Sequence, residues 1–271
     1  MTRRSLALAT AALLTAALVN GCGTSGSDEA VRKATTTPAS PSVAASAAAT
    51  PQVLPASAEE TPDIAPQLVF HGDRSARKVA LTFDLCEVPT SPSGFDDALV
   101  DKLIARQVPA TFFMGGRWAE THPDEAKLLS GITFFEIANH AYAHKHPTKI
   151  TPAEFEAEIT KAQNAILQAS GRTPRLFRFP YGENGPRRLK QVVDAGLVPV
   201  QWNVETGDPD PNVSAGAIVR EVRRSTGNGA IVIMHANGRG RHTAEAITGV
   251  VDWLESEGYE LVTVSELLGV E

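Results

Sequence analysis

Six residues able to do chemistry recur at wide intervals along this chain, most of them just after an apolar run. Asp84 closes Thr82-Phe83-Asp84, and His140 and His144 sit in Asn139-His140-Ala141-Tyr142-Ala143-His144. Arg178 opens Arg178-Phe179-Pro180-Tyr181-Gly182, Asp208 ends Glu205-Thr206-Gly207-Asp208, and His235 follows Ile231-Val232-Ile233-Met234. The four-residue spacing of His140 and His144 puts two imidazoles on one face of a helical turn, where they can share a metal. Each of the others also has a plain structural use. An aspartate after a strand caps a loop, Arg178 can pair with a neighbouring carboxylate, and His235 alone reads as a satisfied core histidine. His146, close to the histidine pair, reads as facing solvent.

These residues act together only if the fold brings them to one place. Short apolar runs recur at βα spacing, at 79–83, 110–114, 133–138, 176–179, 198–202, 230–234 and 260–264. Helical patterns lie between them. The clearest starts at Thr151, with Pro152 at the first helical position and Glu154 at the third, which is a capping box. Its apolar residues Phe155, Ile159, Ala162 and Ile166 fall on one stripe. Another runs from about Thr243 to Ser256 with Ile247, Val250, Val251 and Leu254 on one face. Strands alternating with helices predict a parallel sheet covered by helices, closed into a barrel or open and doubly wound. In such folds the C-terminal ends of the strands carry the chemistry, so Asp84, His140, Arg178, Asp208 and His235 would all face one rim.

In this order and spacing the motifs resemble those of the polysaccharide deacetylases, the carbohydrate esterases with a NodB-homology domain, over about Lys78 to Leu268. The resemblance implies an α/β fold, a single-domain distorted (β/α) barrel of about seven parallel strands. It also implies metal-dependent removal of acetyl groups from a glycan such as peptidoglycan or chitin-type oligomers, N-deacetylation first. On that resemblance His140 and His144 hold a divalent metal, Asp84 is the general base and His235 the general acid. Arg178 orients the base, and Asp208 partners the acid histidine. The Tyr181 N–H helps to hold the oxyanion, and Ile233 contributes to a pocket for the acetyl methyl.

The chain departs from the family at the position after Asp84, where a second aspartate usually serves as a metal ligand and Leu85 stands here. Leucine binds no metal. The third ligand is then Asp84 itself, or Glu87, Cys86 or Asp96 from the following loop, or the metal is lost. Cys86 also has the reading of a buried, inert thiol. As a ligand its thiolate favours zinc over magnesium or calcium, which makes zinc the expected cofactor. Pro209 stands where the family commonly has tryptophan, and Glu205 where it has aspartate. Trp118, Trp202 and Trp253 read as core residues, although Trp118, in a loop after Gly115-Gly116, could stack on a sugar face. Two other readings are a non-catalytic, glycan-binding envelope protein that keeps the fold, and an amidohydrolase of a small cyclic amide or ureide.

Composition narrows the partners. The 271 residues are 42% hydrophobic and 21% charged, ordinary for a globular protein, and 31 acidic against 25 basic residues argue against nucleic acid. Arg3 and Arg4 precede an apolar run from Leu6 to Val19, too short to span a bilayer, which reads as a signal peptide over 1–21. Val19-Asn20-Gly21-Cys22 resembles a lipobox, with Cys22 the lipidated residue. Residues 22–66 are rich in Ser, Thr, Ala and Pro and read as a tether, leaving 67–271 as the catalytic domain. The expected location is extracytoplasmic, as a lipoprotein or secreted. The expected partners are a glycan and, through the lipid anchor alone, the membrane; no oligomeric state follows from the sequence.

Overall fold

The computed structural model describes residues 67–87 and 93–270. The expected signal segment, the tether and Cys22 lie outside them. Along the chain run β1 (Lys78–Leu85), α1 (Asp97–Ala105), β2 (Ala110–Met114), α2 (Gly116–Thr121), α3 (Pro123–Gly131), β3 (Phe135–Asn139), α4 (Pro152–Ser170), β4 (Leu176–Phe177) and α5 (Pro186–Asp194). They continue with β5 (Val198–Pro199), β6 (Val204–Glu205), α6 (Ala215–Ser225), β7 (Ala230–His235), α7 (Thr243–Ser256), β8 (Glu260–Val262) and α8 (Val264–Leu268). No described helix is long and apolar enough to cross a membrane.

β1 sets the architecture because it is apolar on both faces, as a central parallel strand must be. Val79, Leu81, Phe83 and Leu85 belong to the large core shared with the helices. Ala80 belongs to a second cluster with Phe113, Ala138, Leu176, Val200, Ile231 and Val262. With side chains alternating at a period of two, Asp84 shares the Ala80 face and Leu85 faces the helices.

The strands pair in parallel in the order β5-β4-β3-β2-β1-β7-β6, with β8 added beside β1. β7 pairs with β1 from Val79 to Asp84, whereas the other edge is shared: Lys78–Ala80 pair with β8 and Thr82–Leu85 with β2. The sheet therefore forks along β1. The fork is held by Thr111 Oγ1, which accepts from the Val264 N–H at 2.9 Å and donates to Glu136 Oε2 at 2.7 Å. Val69 bridges to Val200 beside β5, and no ladder joins β5 to β6. The result is a curled, distorted barrel of parallel strands, the expected fold class. The sequence pattern missed β6, and the runs at 176–179 and 198–202 supply only two residues each of strand.

The two expected helices form. Thr151 and Glu154 close a capping box at α4, Pro152 takes the first helical position, and Gly171 ends the helix at φ 71°. Phe155, Ile159, Ala162 and Ile166 are buried there, as are Ile247, Val250, Val251 and Leu254 on α7.

Candidate active site

The functional side chains gather where the strands end. Asp84 and His235 are register partners at the ends of β1 and β7. Asn139 at the end of β3 opposes Phe177 of β4, which brings His140 next to Arg178. The Arg178 N–H donates to the Asn139 carbonyl at 2.9 Å, and the Arg178 carbonyl accepts from His140 Nδ1 at 3.0 Å. A protonated Nδ1 leaves Nε2 of His140 as its free ligating nitrogen, 3.3 Å from Asp84 Oδ2.

Arg178 is fully buried, its guanidinium 3.8 Å from the centre of the Phe113 ring. It donates to Asp84 Oδ1 at 2.7 Å and to the Gln201 carbonyl at 3.3 Å. Burial pushes the Asp84 carboxyl upward, but the charges of His140, Arg178 and His235 outweigh it and hold Asp84 below the usual carboxylate range. Asp84 is thus a buried, ionised acceptor with a fixed orientation. Burial holds His140 below the ordinary histidine range against the pull of Asp84. Burial and the neighbouring His140 push His144 down to about 3. Both imidazoles are neutral at neutral pH, the form that binds a metal.

The loop carrying the pair is not a helical turn, contrary to the spacing argument. Ala141 and His144 have φ of 61° and 51°, and this left-handed backbone folds the loop so that the rings meet at 4.9 Å between centroids. The Ala143 N–H donates to Glu158 Oε2 of α4 at 2.7 Å, which ties the loop down. Nδ1 of His144 is buried and has no hydrogen-bond partner among the described residues. Tyr181, at φ 58°, lies between two histidines: its ring centroid is 4.4 Å from that of His144 and 3.9 Å from that of His146, which stacks on it. Among the described residues no backbone acceptor takes the Tyr181 N–H. His146, expected in solvent, also bonds Glu183 Oε1 at 2.8 Å.

On the opposite side Asp208 is buried and receives four hydrogen bonds. They come from the His235 N–H (2.7 Å), His235 Nδ1 (3.0 Å), Thr243 Oγ1 (2.7 Å) and, at 3.2 Å, Thr206 Oγ1, whose single proton is shared with the Ile233 carbonyl at 2.9 Å. A carboxylate only accepts, so Nδ1 of His235 carries the proton and Nε2 is left for the cavity. Asp84, His140, His144, Tyr181, Ile233 and His235 line one cavity of about 180 Å³.

Of the proposed third ligands, two are placed elsewhere. Asp96 caps α1, accepting from the Leu99 N–H at 3.0 Å. Glu87 accepts from Thr121 and Ser93 and lies 3.8 Å from Arg117. Leu85 is fully buried in the core. Cys86 is buried too, and its sulfur and one nitrogen from each of His140 and His144 lie within 4.8 Å of one another. Burial, then the charge of Asp84, pushes the Cys86 thiol well above its usual range.

Trp118 takes its core reading, and only the stacking alternative falls. It belongs to α2, is fully buried and donates from Nε1 to the Gly94 carbonyl at 2.9 Å, so it reaches no sugar. Trp202 lines the cavity instead, with Arg239, which sequence reasoning passed over. Gly240 was also missed: a Cβ there would sit 2.5 Å from Asp208 Oδ2 and 2.6 Å from the His235 carbonyl. The clustered glycines of the segment Asn237-Gly238-Arg239-Gly240, which begins two residues after His235, were the available signal.

The polysaccharide deacetylase family profile matches residues 71–200. The chain is 30% identical over 200 residues to a peptidoglycan-N-acetylglucosamine deacetylase of Bacillus cereus, covering 73% of this chain and 70% of that one. The chain belongs to the polysaccharide deacetylase family. It is 31% identical over 214 residues to a chitooligosaccharide deacetylase of Bradyrhizobium, covering 73% of this chain and 94% of the relative. Other matching peptidoglycan deacetylases are longer, and the chain spans 40% of their length. The structure of a CE4 family pseudoenzyme from Bacillus anthracis superposes with a TM-score of 0.68 at 26% identity, over 77% of this chain and 71% of that one. By family this polysaccharide deacetylase is a hydrolase of carbon–nitrogen bonds other than peptide bonds.

Proposed function

We propose that this chain removes acetyl groups from the acetamido sugars of an envelope glycan, peptidoglycan first, in a metal-dependent hydrolysis outside the cytoplasm. The observation that carries this reading is the pairing of Asp84 and His235 on neighbouring strands, each fixed by its own buried partner and both lining one cavity with two neutral histidines. Amide hydrolysis needs that combination, because water must lose a proton as it attacks and the amine must gain one as it leaves.

The donor set fits a divalent cation: His140 and His144 are buried and neutral, and Nδ1 of His144 has no other partner among the described residues. When bound, such a cation supplies a Lewis acid for the acetamide carbonyl and a lower pKa for the attacking water. Asp84, held ionised by Arg178, takes the proton of that water through a carboxylate oxygen. His235, once protonated on both nitrogens, gives its Nε2 proton to the departing nitrogen, and Asp208, accepting from Nδ1, orients the ring and stabilises that imidazolium. The Tyr181 N–H donates to the tetrahedral oxyanion. Ile233 lines the cavity where the acetyl methyl would lodge.

The location rests on the lipobox-like Val19-Asn20-Gly21-Cys22 and on the Ser-, Thr-, Ala- and Pro-rich composition of residues 22–66. Acetate release by the full chain from peptidoglycan and from chitooligosaccharides tests the reading. Release is expected from at least one of them, lost with a chelator and lost in His235→Ala. Full activity in His235→Ala overturns the proton assignments. A second reading, glycan binding without turnover, is favoured by Leu85, and it predicts retention on insoluble peptidoglycan with no acetate from either substrate.

A further inference from the structure

We propose that Cys86 takes the place of the missing carboxylate and completes a Cys86–His140–His144 site for a thiophilic divalent cation, zinc in the first instance. This deepens the metal-dependent reading above and rests on it for its chemistry, but the site itself stands on geometry.

Strand alternation explains why Cys86 and not Leu85 serves. β1 presents Asp84 to the cavity face and Leu85 to the helix layer, where its side chain is part of the core. A carboxylate directed there would be buried among apolar groups, at a large desolvation cost. The next residue returns to the cavity side, and there the chain carries the thiol. The Leu85 carbonyl accepts from the Gly115 N–H at 2.6 Å, which pins the end of the strand and fixes that alternation.

The three ligand atoms lie within 4.8 Å of one another, and all three residues are buried. Tetrahedral zinc, with Zn–S near 2.3 Å and Zn–N near 2.0 Å, needs pairwise separations of about 3.3–3.6 Å. A contraction of about 1 Å, within reach of side-chain rotation, closes the site. His144 supplies an independent sign of an absent partner, because among the described residues none pairs with its Nδ1, which is buried in a residue only 5% exposed. His140 is already oriented by the Arg178 carbonyl, the kind of outer hydrogen bond that metal-binding histidines use. The sulfur is served in the same way. Asn237 Nδ2 donates to the Cys86 carbonyl at 2.7 Å and approaches Cys86 Sγ at 3.5 Å, a donor suited to a thiolate.

Two consequences follow. Asp84, bound to Arg178, is not needed as a ligand and stays free to act as base. A sulfur ligand also turns the site from oxygen-loving ions such as magnesium and calcium toward zinc and cobalt. Binding costs the thiol its proton, which leaves to solvent as the cation enters.

Cobalt reports on the sulfur directly, independently of turnover. The full chain carrying Cys22→Ser, so that Cys86 is the only thiol, is stripped of metal and titrated with cobalt(II). The expected result is one equivalent bound with a near-ultraviolet thiolate-to-cobalt charge-transfer band, displaced by equimolar zinc and not by excess magnesium. Cys86→Asp, checked for fold by circular dichroism, should bind cobalt without that band. Cys86→Ala should lose about a hundredfold or more in zinc affinity, beyond what outer hydrogen-bond changes cost. Cobalt bound without the band, or with the band intact in Cys86→Asp, overturns the proposal, as does failure to bind zinc or cobalt. Acetate release measured on the same samples separates the two readings. The band without acetate overturns the deacetylase reading and leaves the site standing; acetate from a protein lacking the band does the reverse.

Discussion

Asp84 and His235 face each other across one pair of strands, yet the protein holds them by opposite means. Asp84 is an anion clamped by a single cation, Arg178, and neither side chain is more than 4% exposed. His235 is clamped by an anion, Asp208, and its own side chain is 12% exposed. Asp208 in turn is shared among four donors. The proton acceptor thus has one hydrogen-bonded cation, Arg178, away from water, with His140 and His235 adding to the pull that keeps it ionised, while the proton donor stays reachable and its support is spread over several donors. The contrast suits the proposed chemistry, since His235 must exchange protons with the outside between turnovers.

The sharpest break comes from removing the single clamp. Arg178→Ala leaves the Asp84 charge buried beside neutral imidazoles, and losing one partner of such a pair costs about 3–5 kcal/mol. Urea unfolding should show that loss, and adding Asp84→Asn should recover much of it without recovering acetate release. A change below about 1 kcal/mol in Arg178→Ala would mean that water or another group already serves Asp84. On the other side, Asp208→Asn should act mainly on rate. The neutral amide no longer supports the imidazolium that gives the Nε2 proton, so kcat should fall about 10²–10⁴-fold, the usual worth of positioned acid–base catalysis. Stability should fall less than in Arg178→Ala. Equal losses of stability in the two variants would erase the distinction between the clamps.

Gly240 tests the same pair from the backbone. A methyl there meets Asp208, the His235 carbonyl and the Thr243 hydroxyl at once, so Gly240→Ala must displace at least one of them. Overpacking of this kind costs about 1–3 kcal/mol. Thermal unfolding should register it, together with a fall in kcat at unchanged KM. A variant with wild-type kcat would show that the Asp208–His235 geometry tolerates movement.

The apolar runs made the ends of β1, β3 and β7 legible, because a fully buried parallel strand is an uninterrupted apolar segment and its reactive neighbour sits where the segment stops. The capping box made the start of α4 legible for an equally local reason. What was not legible depended on direction rather than sequence distance. Glu87, Cys86 and Asp96 are all near Asp84 along the chain, yet Asp96 turns to cap α1, Glu87 turns to Arg117 and Thr121, and Cys86 alone faces the histidines. Alternation along β1 carried that information, had it been continued one residue past the strand. The four-residue spacing of His140 and His144 misled, since a left-handed loop brings rings together as well as a helical turn does. Trp118 misled for the converse reason: Gly115-Gly116 looks like a loop, but Gly116 begins α2, where a side chain would strike Ala162 of α4. The fork of β8 beside β1 had no local signal, because it is made by residues some 150 to 180 positions apart.

The smallest expected effect is the most discriminating for redundancy. Thr243→Val keeps the shape of the side chain and removes one of the four donors to Asp208, the hydroxyl bound at 2.7 Å. If the carboxylate is held by the remaining three, Asp208 and His235 keep their geometry. The rate should then fall no more than about fivefold, or about 1 kcal/mol of transition-state stabilisation. The stability cost should stay near that of one hydrogen bond to a charged group, about 1.5–3 kcal/mol. A rate loss matching that of Asp208→Asn would show that Thr243 fixes the carboxylate alone. The His235 side would then depend on one partner, as the Asp84 side does.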